Sequence, residues 1–352
     1  MILKEIDKPY IIAEIGANHN GDVALAKEMI RTAKECGANA VKFQHFSISN
    51  LCTQDNLDEL DSGVVKLENV DQFNTPELGL NNVREQIIAF SFSEQEMSDV
   101  RKYARSIDID FGCTTEDAEG VKFLQELDVD FIKLSSADAT NVSLIRAAVL
   151  SNYPILLSTG MADLAEIDNA YRIFNEFESP NFALLHCVSI YPPTEDIVNL
   201  NFIDTLNKLY NCPIGYSDHT LDYSISLAAV AKGVNILEKH FTLDKNMAGW
   251  DHKVSADPSD LKIICEESRR IHSALGSKYK IISKEELHKR DSFRKSITTN
   301  TPFLKGEKIS YDRIAFKRPG TGISPDLLKY VIGRRVNKNI SDDKTLNWSD
   351  LA

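Results

Sequence analysis

The chain has 352 residues, 43% of them hydrophobic, and a formal net charge of -12 at neutral pH. That length can bury a sizeable core and suits one large domain plus a small one, while the acidic balance argues against a general nucleic-acid or membrane-surface binder. No apolar run is long enough to span a bilayer, the opening MILKEIDKPY has no secretory core, and the six cysteines show no paired spacing, so a cytoplasmic protein with reduced thiols is expected.

Apolar, β-branched runs recur along the chain with amphipathic stretches between them. Strands are predicted at 10–17 (YIIAEIGA), 40–46 (AVKFQHF), 109–115 (IDFGCTT) and 131–137 (FIKLSSA). Four more follow at 154–160 (PILLSTG), 182–189 (FALLHCVS), 213–219 (PIGYSDH) and 235–242 (NILEKHFT). Between the first two, Ala24, Ala26, Met29, Ile30 and Ala33 fall mostly on one face of a helix over 22–35. Strands apolar on both faces that alternate with helices imply a parallel sheet. Eight such units in about 270 residues favour a closed (β/α)8 TIM barrel. An open doubly wound sheet is the rival, but no Gly-x-Gly-x-x-Gly turn follows the first strand.

Two segments break the rhythm. Residues 47–92 form a polar, acidic insertion far longer than an ordinary βα loop, which suggests a functional loop or lid. From about 280 onward the stretches KRDSFRKSITTN, FLKGEKIS and FKRPGTGIS are basic and turn-rich. The reading is a barrel over 1–280, a linker over 281–290 and a small, mostly β domain over 291–352.

Active sites of such barrels gather at the C-terminal ends of the strands. The polar residues there are Glu14 with Asn18, His19 and Asn20; Lys42 and Gln44; Thr114 and Thr115; and Lys133 with Ser135, Ser136 and Asp138. The later strands contribute Ser158 and Thr159; His186, Ser189 and Tyr191; Ser217, Asp218 and His219; and Glu238 with His240. Any one of these hydroxyls would pass as a cap or turn former; eight strands bringing polar groups to one rim point to a site.

Lys42 and Lys133 cannot sit unpaired in a barrel mouth without a large desolvation cost. Amid the hydroxyls of Ser136, Ser158 and Ser217 they would suit a phosphate and a carboxylate; the alternative is that each pairs with a barrel carboxylate such as Glu14 or Glu238. His219 and His240 end consecutive strands, and adjacent strands lie about 4.8 Å apart. Two inward imidazoles there are placed to share a divalent ion, with water, substrate or a carboxylate completing it; the alternative is a hydrogen-bonded pair of histidines. Lys239, on the alternate face, is expected to be structural or paired.

The motifs IIAEIGANHNGD, AVKFQ, FIKLSSAD, LLSTGM, LLHCVSIYP, GYSDHT, EKHFTLDK, WDHKVS and KRPGTGIS resemble, in family order, those of the sialic acid (N-acetylneuraminate, nonulosonic acid) synthases. The resemblance runs nearly the whole chain. It implies a TIM barrel followed by a small antifreeze-like (SAF) domain, in a homodimer whose small domains cap the partner's barrel. It places phosphoenolpyruvate ligands on Lys42, Lys133, Ser136, Ser158 and Ser217, and a divalent metal, usually Mn²⁺ with Mg²⁺ or Co²⁺ as substitutes, on His219 and His240. Tyr191, Asp251 and Arg318 match substrate-site positions, and Asp138 matches an active-site Glu, one methylene shorter. Asn20 stands where some members carry Glu. Gly112-Cys113-Thr114-Thr115 replaces Ser-Thr-Pro-Phe, so the family's phosphate-contacting Thr aligns with Cys113, with Thr114 or Thr115 as substitutes. Trp250 replaces a proline in the Gly-Pro-Asp-His stretch.

The implied reaction joins phosphoenolpyruvate to the open-chain aldehyde of an N-acetylmannosamine-type sugar, releasing phosphate and a nine-carbon 2-keto acid for surface polysaccharide or glycan biosynthesis. Glu14, Glu238 or Asp138 would direct water to C2. A legionaminate- or pseudaminate-type synthase acting on a diacetamido-trideoxy hexose is the alternative. A Schiff-base pyruvate aldolase needs a lysine in an apolar pocket, and Lys133 is flanked by Ser135.

Overall fold

The computed structural model describes residues 2–45, 53–62, 83–177 and 181–352. Two compact units divide the chain, Met1–Gly276 and Ser277–Ala352. The first carries eight strands, β1 Tyr10–Gly16, β2 Ala40–Gln44, β3 Asp110–Thr114, β4 Phe131–Leu134, β5 Ile155–Ser158, β6 Phe182–Cys187, β7 Ile214–Asp218 and β8 Ile236–His240. They close into a barrel in chain order, the parallel β1–β8 pairing sealing the cylinder. Each strand ends one to three residues before its predicted end, because the polar residues beyond turn into loops. Ser136–Asp138, for example, forms a 3-10 turn directly after β4.

The helix Val23–Cys36 shows why the intervening segments fold locally. Asp22 accepts hydrogen bonds from the Ala24 and Leu25 amides, and Gly37 closes the helix in the left-handed region at φ 96°. Ala26, Met29, Ile30 and Ala33 are buried as predicted, whereas Ala24, in the first turn, is exposed. The strands alternate cleanly. Ile11, Ala13, Val41, Phe43 and Phe111 face outward into the core shared with the helices, and Ile12, Ala40, Phe131, Leu156, Leu185 and Ile236 fill the barrel interior. Gly112 is required on β3, since a Cβ there would come within 2.1 Å of the Phe131 ring.

Of the predicted insertion, residues 47–52 and 63–82 lie outside the described residues; Gln54–Ser62 and Val83–Ala89 are helical. The second unit holds an antiparallel pair, β9 Ser296–Thr299 and β10 Ile314–Lys317, over a core that includes Ile297, Phe303, Ile309, Val331 and Leu346. Its first helix, Lys284–Phe293, carries no buried side chain. Among the described residues no helix is long and apolar enough to cross a membrane.

Candidate active site

The alternation that buries Ile236 inside the barrel also turns Glu238 and His240 inward, one and two layers nearer the C-terminal rim. The same parity brings Glu14, Lys42, Thr114, Lys133, Ser158 and Ser217 to the wall of one cavity of about 430 Å³.

Within it the cations and carboxylates pair. Lys42 Nζ forms a close ion pair with Glu14 and donates to Thr114 Oγ1 at 2.7 Å, while Gln44 Nε2 donates to Glu14 Oε1 at 2.9 Å. Lys133 Nζ lies 3.2 Å from Glu238 Oε1, which also accepts from Ser217 Oγ at 3.0 Å. Each lysine therefore has the carboxylate partner left open by the sequence. The two carboxyls differ in character. Burial pushes Glu14 up, a rise that Lys42 opposes and the neighbouring Glu238 charge reinforces. Burial acts the same way on Glu238, but Lys133 and Lys42 together outweigh it and hold that carboxyl well below the usual range. Ser158 Oγ, also on the cavity wall, is buried without a hydrogen-bond partner among the described residues.

The two histidines stand beside this charged layer, ring centroids 5.3 Å apart. His219 Nδ1 lies 2.9 Å from the Val188 carbonyl, which can only accept, so Nδ1 carries a proton; burial pushes this imidazole down, but Cys187 beside it and the Val188 carbonyl raise it above the usual range. His240 Nδ1 is buried without a hydrogen-bond partner, 3.8 Å from Asp251 Oδ2. Burial, then the proximity of His219 and Lys42, keeps His240 well below the usual imidazole range and so neutral. Asp251 is pushed up to about 6 by burial, with His219 and Lys42 opposing. Tyr191 covers both rings, 4.1 Å from His219 and edge-on to His240 at 5.8 Å. Two buried imidazoles on neighbouring strands fit a divalent ion, whose binding would displace any second proton from His219. Among the described residues no group of three or more His, Cys, Asp or Glu side chains forms a complete cage.

The NeuB family matches residues 29–280 and the SAF domain residues 294–352. The chain belongs to the NeuB family. The N,N'-diacetyllegionaminic acid synthase of Legionella pneumophila is 37% identical to it, over 97% of this chain and 94% of its own. The N-acetylneuraminate-9-phosphate synthase of Homo sapiens is 32% identical, over 96% and 91%. The crystal structure of the N-acetylneuraminic acid synthetase from Leptospira borgpetersenii, in complex with citrate, is 35% identical with a TM-score of 0.67, covering 82% of this chain and 93% of that one.

In this NeuB-family chain Glu14, Lys42, Lys133, Ser136, Ser158, Tyr191, Ser217, His219, Glu238, His240 and Asp251 all line the one cavity. Asp138 does not; its two oxygens accept from Ser135 Oγ at 2.9 Å and Asn141 Nδ2 at 3.0 Å, which commits it to the turn. Asn20 also lies off the cavity wall, in the left-handed region at φ 48°, donating to the Ala248 carbonyl at 2.8 Å. Arg318 belongs to the second unit, its Nε on the Phe293 carbonyl at 3.0 Å and its guanidinium over the Phe293 ring. His186 turns outward and bonds the Val198 carbonyl at 2.7 Å. On the third strand Cys113 packs in the outer core and Thr114 takes the inward position on the cavity wall.

Several cavity residues were not singled out from the sequence, Cys187 and Glu116 among them. Cys187 lies on the inward side of β6 with Sγ 3.8 Å from His219 Nδ1; burial raises its thiol, yet His219 draws it down to about 7. Glu116 at the rim is pushed up to about 7 by burial, then by Asp138 and Asp117. Trp250 forms part of the wall. Cys187 follows Ala183 and Leu185 at every second position, a signal that inward parity alone would have supplied.

Proposed function

We propose that the chain condenses phosphoenolpyruvate with the open-chain aldehyde of an N-acetylmannosamine-type 2-acetamido sugar, releasing phosphate and a nine-carbon 2-keto acid. The observation that carries this reading is one cavity holding two buried lysines, the buried Ser158 hydroxyl and the two histidines that end neighbouring strands. Lys42 and Lys133 hold the phosphate and carboxylate of phosphoenolpyruvate by preorganised charge, with Ser136, Ser158 and Ser217 as hydroxyl donors. His219 and His240 hold a divalent ion, Mn²⁺ first with Mg²⁺ or Co²⁺ as substitutes, which when bound polarises the aldehyde oxygen as a Lewis acid.

The enol pair at C3 of phosphoenolpyruvate forms the bond to the aldehyde carbon, whose oxygen gains a proton. Water adds at the electron-poor C2 and loses a proton. The C2–O bond to phosphate then breaks as the new C2 hydroxyl gives up its remaining proton, which leaves with the phosphate, and the keto group forms. Glu14 suits the proton transfers better than Glu238, because burial holds its carboxyl near the range where it both takes and gives a proton, while Glu238 is held ionised. Tyr191 and Asp251 on the cavity wall contact the sugar, with Asn20 behind them. Arg318 completes the sugar site from the partner's small domain in a cytoplasmic homodimer.

A diacetamido-trideoxy hexose is the second reading. Trp250 adds an apolar face to the wall that favours a methyl-bearing sugar, and the higher identity to the legionaminic acid synthase points the same way. Phosphate release with a panel of acetamido sugars tests the proposal. Release is expected only when phosphoenolpyruvate, one acetamido aldose and a divalent ion are all present, and chelation should stop it. Borohydride should trap no pyruvate adduct. Silence across the whole panel, or a trapped adduct, would overturn the reading.

A further inference from the structure

Directly behind the two imidazoles, on the outer side of the barrel wall, lies an ion pair between Asp218 and Lys239 whose side chains are both 0% exposed. It sits where strands meet helices, a place that apolar side chains fill elsewhere in this barrel. A buried ion pair is commonly no more stable than a well-packed apolar one, because desolvation offsets its attraction. Its geometry indicates a different use.

Asp218 and Lys239 are Cα partners and form the last register pair of the β7–β8 ladder. The next residues are His219, just past β7, and His240, the last of β8, so the imidazoles stand one residue beyond the last register pair that joins these two strands. Lys239 Nζ donates to Asp218 Oδ2 at 3.0 Å and to the Thr220 carbonyl. Asp218 Oδ1 accepts from the Thr220 amide at 2.9 Å, Thr220 Oγ1 at 2.8 Å and Tyr216 OH at 3.2 Å. Oδ2 also accepts from Ser226 Oγ at 2.5 Å, tying the pair to the helix Ser224–Ala231. His219 is thus gripped on both sides, by Asp218 before it and Thr220 after it, and both grips converge on one carboxylate and one ammonium.

We infer that Asp218 and Lys239 are positioning residues that set the separation and orientation of His219 and His240 for a shared divalent ion. Charge fixes a distance and a direction, which an apolar contact of equal volume does not. The inference rests on the two-histidine reading of the site, and the experiment separates the two.

The test is Co²⁺ binding, followed by its visible absorption and by calorimetry, in the wild type and in Asp218→Asn/Lys239→Met, which removes the pair without stranding a buried charge. Partners that orient metal ligands are typically worth about 10–100-fold in affinity, so the folded double variant should bind Co²⁺ that much more weakly and with an altered spectrum. A folded double variant with wild-type affinity and spectrum would show the pair to be structural only. Should that variant not fold, Ser226→Ala and Thr220→Val, each deleting one donor to Asp218, decide instead. A graded loss of Co²⁺ affinity supports the inference and unchanged affinity in both overturns it. A wild type that binds no Co²⁺, or a His240→Ala variant that binds it equally well, overturns the metal reading itself.

Discussion

Lys42 and Lys133 carry the same charge in the same cavity, yet they lean on carboxylates of opposite character. Glu14 is pushed toward its neutral form by burial and needs its lysine less; Glu238 is held ionised by Lys133 first and Lys42 second. Losing Lys42 leaves a carboxyl that can protonate, whereas losing Lys133 strands a buried anion, a change of the kind that costs about 3–5 kcal/mol. Both lysines to methionine should weaken phosphoenolpyruvate binding by about tenfold or more, since charged contacts are typically worth about 1.5–3 kcal/mol. Only Lys133→Met should also lower the melting temperature sharply. The sign follows from linkage. A depressed carboxyl contributes stability above its unfolded pKa and loses it as pH falls through the folded value, so the gap between wild type and Lys133→Met should narrow on acidification. Equal melting losses in the two variants at neutral pH would refute the asymmetry. The pairs themselves were legible only as an alternative, because sequence places a residue at a strand end without saying which carboxylate its four-carbon stem reaches. Asp138 shows the same limit: four residues past the end of β4, in a 3-10 turn, its oxygens are claimed by Ser135 and Asn141.

At the scale of elements, all eight barrel strands were readable because β-branched runs on both faces leave little else for a parallel strand to be. The insertion after β2 was not, since it has no periodicity to read, and yet its described end reaches the site. Gln86 Oε1 accepts from Trp250 Nε1 at 2.8 Å, and Phe90 meets the indole edge-to-face at 5.2 Å. The helix Val83–Ala89 therefore braces the stretch after β8 that supplies Trp250 and Asp251 to the cavity wall. Gln86→Ala removes a bond to a half-buried indole, worth about 1 kcal/mol. It should raise the KM for the sugar about fivefold while leaving the KM for phosphoenolpyruvate, whose proposed ligands are Lys42 and Lys133, nearly unchanged. Parallel shifts in both constants would mean that the brace acts on the whole barrel mouth and not on the sugar wall.

On the scale of the whole molecule, composition alone announced a second unit, because a basic, turn-rich tail cannot continue an acidic barrel pattern. The role proposed for this tail at the barrel comes from family resemblance alone. Arg318 sits on this unit with its guanidinium stacked 4.8 Å over Phe293, a planar fork suited to the carbonyl or hydroxyl pair of an acetamido sugar. The helix leading to it buries none of its own side chains, so Leu287 and Phe293 offer apolar surface that a second copy would cover. If the small domain serves the partner's barrel, two inactive proteins should repair each other. Arg318→Ala retains an intact barrel and Lys133→Met retains an intact Arg318. Mixed dimers then hold one complete site in two. With subunits exchanged at random, half of the dimers are mixed, so activity should recover to roughly a quarter of wild type when exchange is complete and one site works independently of the other. Native mass measurement confirms that mixed dimers form. Mixed dimers without recovered activity would mean that each small domain completes its own barrel, and a protein that stays monomeric while fully active would remove the partner from the site altogether.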